Sequence, residues 1–264
     1  MNLHPGLVAD LAHQPIWLLG ILASVAGFGF QAVALWKGSL SVVQPLLVLG
    51  LVFALPLSAA TLSKRWLSAK EWVATVTVTG GLAVFLLTGD PSQGKSEVGL
   101  APWFLVVAII LCISFAIVLI SKFQKGPVRS VMQATAAGLV NSLAAAFTKS
   151  AAHHFSQLNA LHSGIFSSLS HAVWSWQIPA VVVDYCIVLL LVQSAFQGEQ
   201  IGWSLPALTV ANPAASLFIG AYLFHENLNT SPIGLAIQAI SIGVIVIGIT
   251  ILAKIPGHFE SKST

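Results

Sequence analysis

Eight runs of about 20 mostly apolar residues crowd into a chain of 264 residues, and a run of that length is what a helix needs to cross the hydrocarbon core of a bilayer. In order they are A (Ile16 to Leu35), B (Leu40 to Leu62), C (Glu71 to Thr88), D (Ala101 to Ser121), E (Val128 to Thr148), F (Gln177 to Phe196), G (Gly202 to Phe224) and H (Ile233 to Ala253). Charged residues make up only 7% of the sequence, against about 25% in a soluble domain. So few charges cannot cover a water-facing surface, and the solvent for most of this surface must be lipid. In lipid the backbone must satisfy its own hydrogen bonds, which leaves helices as the form for runs this long. The expectation is an all-α membrane protein with about eight transmembrane helices in one domain covering 1–264. Segments D and H are the clearest. Segment E is the weakest, diluted by Gln133, Thr135, Asn141, Ser142 and Thr148.

Loops between the runs are short, with one exception. Lys149 to Trp176 separates E from F, and its Leu, Ile, Phe and Trp residues alternate with Ser and His. That mixture reads as an amphipathic segment lying at the interface over 149–176. Orientation follows from the basic residues. Lys64, Arg65, Lys70, Lys122, Lys125, Arg129, Lys254 and Lys262 fall on one side, and Lys37, Lys95 and Lys149 on the other. The richer side is the cytoplasm, so the expectation is a multi-pass protein of the cytoplasmic membrane with both ends of this chain inside and the long loop outside. No basic residue precedes the first apolar run, so the start does not read as a cleaved signal peptide. The basic residues are too thinly spread to bind nucleic acid. Cys112 and Cys186 lie within apolar runs and read as packing residues rather than a disulfide or a metal site.

Segments A to C resemble F to H at an offset of 161 to 162 residues. Gln31 falls on Gln193, and the run from Pro45 (PLLVLG) on the run from Pro206 (PALTVAN). Lys64-Arg65-Trp66-Leu67 falls on His225-Glu226-Asn227-Leu228, and Gly81 on Gly243. The offset between the copies contains five spans, an odd number, so the second must be inverted. Repeat one then covers about 16–88 and repeat two about 177–253. Inverted repeats are the architecture of secondary transporters, with the substrate near the bilayer midplane at the repeat interface. Compositional likeness between apolar helices is the plainer alternative, and the ordered Gln, Pro and Gly landmarks weigh against it.

Polar groups inside a span are costly and need a reason. Asp184 is the acid that lies well inside one, and it reads either as a coupling or cation-coordinating carboxylate or as a hydrated residue in the outer half of F. Gln31, Gln193, Gln44, Asn141, Asn212 and Gln238 add neutral groups that could bind a polar solute if gathered at one site, or simply join helices. Pro45 and Pro56 in B, and Pro206 and Pro213 in G, remove backbone donors. With Pro45 matching Pro206, the expectation is a helix break at Pro45, Pro206 and Pro213 near a binding site. The Ala134, Gly138, Ser142 and Ala146 stripe in E reads as a packing seam. His153, His154, His162 and His171 lack the spacing and the accompanying acids of a metal site, and the sequence leaves any metal unknown. No HExxH, GxSxG or P-loop pattern occurs. The expectation is therefore no enzyme activity and no cofactor.

Through Gly27 to Ser58 (GFGFQAVALWKGSLSVVQPLLVLGLVFALPLS) and Leu191 to Leu228 (LVQSAFQGEQIGWSLPALTVANPAASLFIGAYLFHENL) the chain resembles the drug/metabolite transporter superfamily. Within it, the likeness is to actinobacterial EamA-like members related to the NIPA-type magnesium transporters, and it extends from about Trp17 to Leu252. The resemblance implies a secondary carrier that moves a small solute across the membrane by alternating access, in a two-repeat fold that also allows a homodimer. Two departures stand out. NIPA-type chains begin one span earlier, so the first helix looks missing. The Glu that closes the third helix of a repeat is present as Glu226, whereas Lys64-Arg65-Trp66 occupies its place in the first copy. A Mg²⁺ substrate is the second reading, weakened because such a site uses carboxylates and retained waters. A non-transporting scaffold or accessory subunit is the third.

Overall fold

The computed structural model describes residues 15–50, 52–53, 68–89, 94–95, 98–161, 174–196, 201–229 and 231–253. Among these residues there are eight helices and no strand: α1 (Pro15–Lys37), α2 (Leu40–Leu46), α3 (Ala69–Gly89), α4 (Leu100–Ser121), α5 (Gly126–Leu161), α6 (Gln177–Ala195), α7 (Ile201–Leu223) and α8 (Pro232–Ala253). All but α2 are long and apolar enough to cross a membrane. The chain is a multi-pass membrane protein, and its exposed Leu, Ile, Val and Phe side chains are its lipid-facing surface. Segment B appears as the seven-residue α2, a turn at 47–48 and helical residues again at 49–50 and 52–53, and its end, residues 54–62, lies outside the described residues.

The centre of the bundle is α5, which packs against α7, α6, α4 and α1. Ala134, Ala137, Ala144 and Ala146 on this helix are wholly buried. Segment E is, as its polar content indicated, among the least apolar of the spans, and its enclosure in the bundle explains why. A helix surrounded by protein has polar partners and close neighbours in place of lipid tails, so small and hydroxylated residues suit it. Gly138 meets α7 so closely that a Cβ there would lie 2.7 Å from Ala211 Cβ and 2.8 Å from Leu208 O. By contrast α4, apolar on all sides, turns Phe104, Ile113, Phe115 and Ile120 outward. The second tight pairing joins α3 to α8, where Gly81 backs onto Ile245 and Val244, and Gly248 onto Val78.

Two boundaries differ from the sequence reading. The residues from Lys149 to Leu161, read as the start of an interfacial loop, continue α5, which is 36 residues long. The Ser and His side chains of this stretch are compatible with helix, and nothing between Thr148 and Leu161 stops one. Residues 162–173, with His162 and His171, lie outside the described residues. The expected break at Pro206 and Pro213 does not occur, since α7 runs continuously through both. A membrane helix packed on neighbours tolerates the lost donor. At Pro45 the chain behaves differently. α2 gives way one residue later to a turn at 47–48, with Val48 N donating to Pro45 O and Gly50 N to Leu47 O, before the chain is helical again at 49–50.

Candidate functional site

Polar residues concentrate along one line of contact, between α2 and α7. Asn212, Ser216 and Gly220 follow one another at four-residue intervals on α7, so they share a face. Opposite them on the α2 side stand Gln44, Ser41 and Ser39. Asn212 Nδ2 donates to Gln44 Oε1 at 3.2 Å, and Gly220 lies against Ser41 Oγ. Ser39, Ser41, Gln44 and Ser216 are all buried. Yet Gln44 Nε2, Asn212 Oδ1, Ser216 Oγ and Ser39 Oγ have no hydrogen-bond partner among the described residues. A buried polar atom left unmatched costs about 1–3 kcal/mol, so four along one seam mark a place that favours water or a polar ligand. Beside the seam, Pro45, Val48, Leu82, Thr209, Pro213 and Ile245 line a cavity of about 30 Å³, room for roughly one water molecule.

One end of the seam is closed by a buried ion pair. Lys149 Nζ donates to Glu226 Oε1 at 2.5 Å. The same carboxylate accepts from Leu40 N at 2.6 Å through Oε1, and from Ser41 N at 2.9 Å and Ser41 Oγ at 2.6 Å through Oε2. Each oxygen therefore takes two donors, which fills the acceptor capacity of a carboxylate. Ser39, the residue before α2, makes no capping bond with its own side chain, and Glu226 satisfies the first α2 amides from across the bundle. The local cause is His225, whose φ of 53° ends α7 in the left-handed region and turns Glu226 back over the helix end. His is among the residues that adopt this conformation more readily than most. Gly220 makes room, because a Cβ there would collide with Glu226 Oε2. Lys149 is roofed by the Phe224 ring, 4.7 Å from its ammonium. Beside it Trp103 stacks on Phe147 at 5.1 Å and meets Trp176 edge-on at 5.3 Å, an aromatic wall that keeps water from the pair.

The turn carrying Glu226 also binds the other helix ends on this side. Lys95 N donates to Phe224 O at 2.6 Å, and Asn229 N to Gly89 O at 2.9 Å. Asn229 Nδ2 reaches Thr88 O at 3.1 Å, and Gln238 Nε2 holds Asn229 O at 3.0 Å. The end of α3, the segment before α4 and the start of α8 are thus joined to 224–229.

The remaining sequence candidates do not assemble around one point. Gln44 and Asn212 meet, but Gln238 serves the turn. Asp184 is buried on the α6 face against the Ala144 backbone of α5, with Oδ2 lacking a partner among the described residues. The body of α5 separates it from the α2–α7 seam. Gln31 is half-buried on α1, Asn141 half-buried on α5, and Gln193 exposed on α6. Sequence reasoning missed Lys149 and Glu226 as site residues, although each is a lone charge beside an apolar run. Lys64, Arg65 and Pro56 lie outside the described residues. No cluster of three His, Cys, Asp or Glu suited to a metal occurs among the described residues.

Comparison with known proteins adds one relative. The chain is 26% identical over 213 residues to an uncharacterized protein of Corynebacterium glutamicum, covering 80% of this chain and 70% of the relative. No family model matches the sequence, and no solved structure matches it.

Proposed function

We propose that the chain is a secondary carrier of the drug/metabolite type, moving a small polar solute across the cytoplasmic membrane by alternating access between two inverted helix sets. The observation that carries this reading is the α2–α7 seam, where neutral amide and hydroxyl groups are buried with unmatched hydrogen-bonding atoms beside a helical segment interrupted by a turn just after Pro45. Short or interrupted helices at a repeat interface are where carriers of this architecture bind. The repeat itself has support in the packing. Each helix of the first set touches its counterpart in the second: α3 against α8, α2 against α7, and α1 against α6 through Phe28 and Tyr185, whose ring centroids are 6.1 Å apart. A two-fold relation between the sets would bring counterparts together in this way. The groups facing the seam favour a neutral polar solute over a bare divalent cation, which prefers clustered carboxylates. Asp184, on the far side of α5, is the residue for ion coupling. No covalent step belongs to this mechanism.

The test is uptake into proteoliposomes holding the purified protein, using labelled neutral amino acids and nucleosides and, separately, Mg²⁺ with an internal indicator dye. A transported neutral solute should lose roughly tenfold or more of its uptake in Asn212→Leu, the cost of leaving a buried polar partner unmatched. Asp184→Asn should remove accumulation against a gradient while leaving exchange. Uptake of no solute above that of empty vesicles, or identical uptake by Asn212→Leu, rejects the seam as the binding site.

A further inference from the structure

The Lys149–Glu226 pair holds together three segments that are distant in the sequence: the α1–α2 junction, the far part of α5 and the α7–α8 turn. Lys149 and Glu226 are 77 residues apart, and Glu226 and Ser41 are 185 apart. Nothing in a static bundle requires a charged pair here. Apolar residues of similar size would fill the same space without the desolvation cost that two buried charges carry. The site is also built to keep the pair dry, with Phe224 above the ammonium and Trp103, Phe147 and Trp176 beside it. Buried pairs of this sort have two arrangements rather than a continuum, made or broken, which is the property a switch element needs. The seam residues Ser39, Gln44 and Ser216 lie directly beneath, and the hydrogen bonds from Lys95, Asn229 and Gln238 join the neighbouring hairpins to the same turn.

We infer that Glu226 and Lys149 form a latch: this conformation is closed at the Glu226 end, and opening that end requires the carboxylate to leave both Lys149 and the first amides of α2. The inference rests on the alternating-access reading for its purpose, but its movement is measurable without any substrate. Release of Glu226 frees Leu40 N, Ser41 N and Ser41 Oγ together, so α2 and the 224–229 turn separate as a unit. That motion exposes the seam from this side.

The reporter is Ser39→Cys in a Cys112→Ala, Cys186→Ala background, in lipid nanodiscs, treated with a membrane-impermeant maleimide. With the latch intact, labelling should be slow. Glu226→Gln and Lys149→Met should each speed it by roughly tenfold or more. Val78→Ala, which loosens the α3–α8 contact against Gly248 away from the latch and the seam cavity, should leave it unchanged. Equal acceleration by Val78→Ala makes the pair a mere stabiliser and overturns the latch, as does no acceleration in either latch variant. Amide exchange on the unsubstituted protein provides the second arm, needing no variant to fold. Leu40 and Ser41 amides should exchange at least roughly tenfold faster than the Leu143 and Ala144 amides in the middle of α5; equal protection overturns the latch. Faster labelling in a protein that transports nothing would retain the latch and reject the carrier.

Discussion

Glu226 places a full carboxylate in a dry interior and gives every one of its acceptor positions a donor. Removing one partner leaves the other charge stranded, which costs about 3–5 kcal/mol at a buried pair. Lys149→Met should accordingly lower the thermal unfolding midpoint in detergent, whereas the double variant Lys149→Met, Glu226→Gln should recover part of the loss. Gly220→Ala attacks the same carboxylate without touching a charge, since its Cβ would sit against Glu226 Oε2 and 2.6 Å from Ser41 Oγ. The expected penalty is about 1–3 kcal/mol, visible as a fall in the same midpoint; an unaltered midpoint would mean that the turn yields freely. Little of this detail was readable in advance. Even the local capping box at the start of α3, where Ser68 N donates to Glu71 Oε2 at 2.5 Å, is absent from the sequence reading. Glu226 and Lys149 were visible as isolated charges, but their partnership spans 77 residues and has no local pattern to betray it.

The helices themselves were largely legible because membrane crossing imposes a length, and the apolar runs record it. What could not be read from composition was which helix stands in the middle. Dilution by polar residues weakens a lipid-facing span but befits a helix enclosed by others, so the same letters in α5 support opposite conclusions until its neighbours are known. Helix continuity was equally hidden. Pro45 and Pro206 occupy matching places, yet a turn interrupts the helix just after the first and α7 runs unbroken through the second. The α3–α8 pairing depends on Gly81 and Gly248 lying close to the partner helix, with a Cβ at Gly248 only 2.6 Å from Val78. Gly248→Leu should force the two apart and destabilise the bundle by several kcal/mol, about 3 or more by the usual cost of overpacking at a close contact. Thermal melting in detergent measures it; Gly243→Leu, where nothing lies within 4 Å of the added Cβ, is the control that should melt like the unsubstituted protein.

For the molecule as a whole, the distribution of basic residues and the closed end make one joint statement. Lys95, Lys149 and Glu226 belong to the same end of the bundle, the end with fewer basic residues, which the positive-inside rule directs away from the cytoplasm. Alkaline phosphatase fused after Lys95 should therefore be active in a bacterial host, and the same enzyme fused after Arg129 inactive; the reverse pattern would invert the latch in the membrane. The polar seam was only half legible for a related reason. Gln44 and Asn212 were identifiable as polar groups in apolar runs, but which polar residues converge depends on which faces meet, and α5 keeps Asp184 apart from them.

The length of α5 carries a practical consequence. Thirty-six helical residues extend about 54 Å, while the hydrocarbon core is about 30 Å thick. The same rigid rod that forms the middle of the bundle must therefore continue well past the lipid tails. For particle imaging, where a small protein sunk in a micelle offers no feature to align on, such a mast is a natural handle: an antibody fragment gripping it would move in register with the most buried helix of the protein.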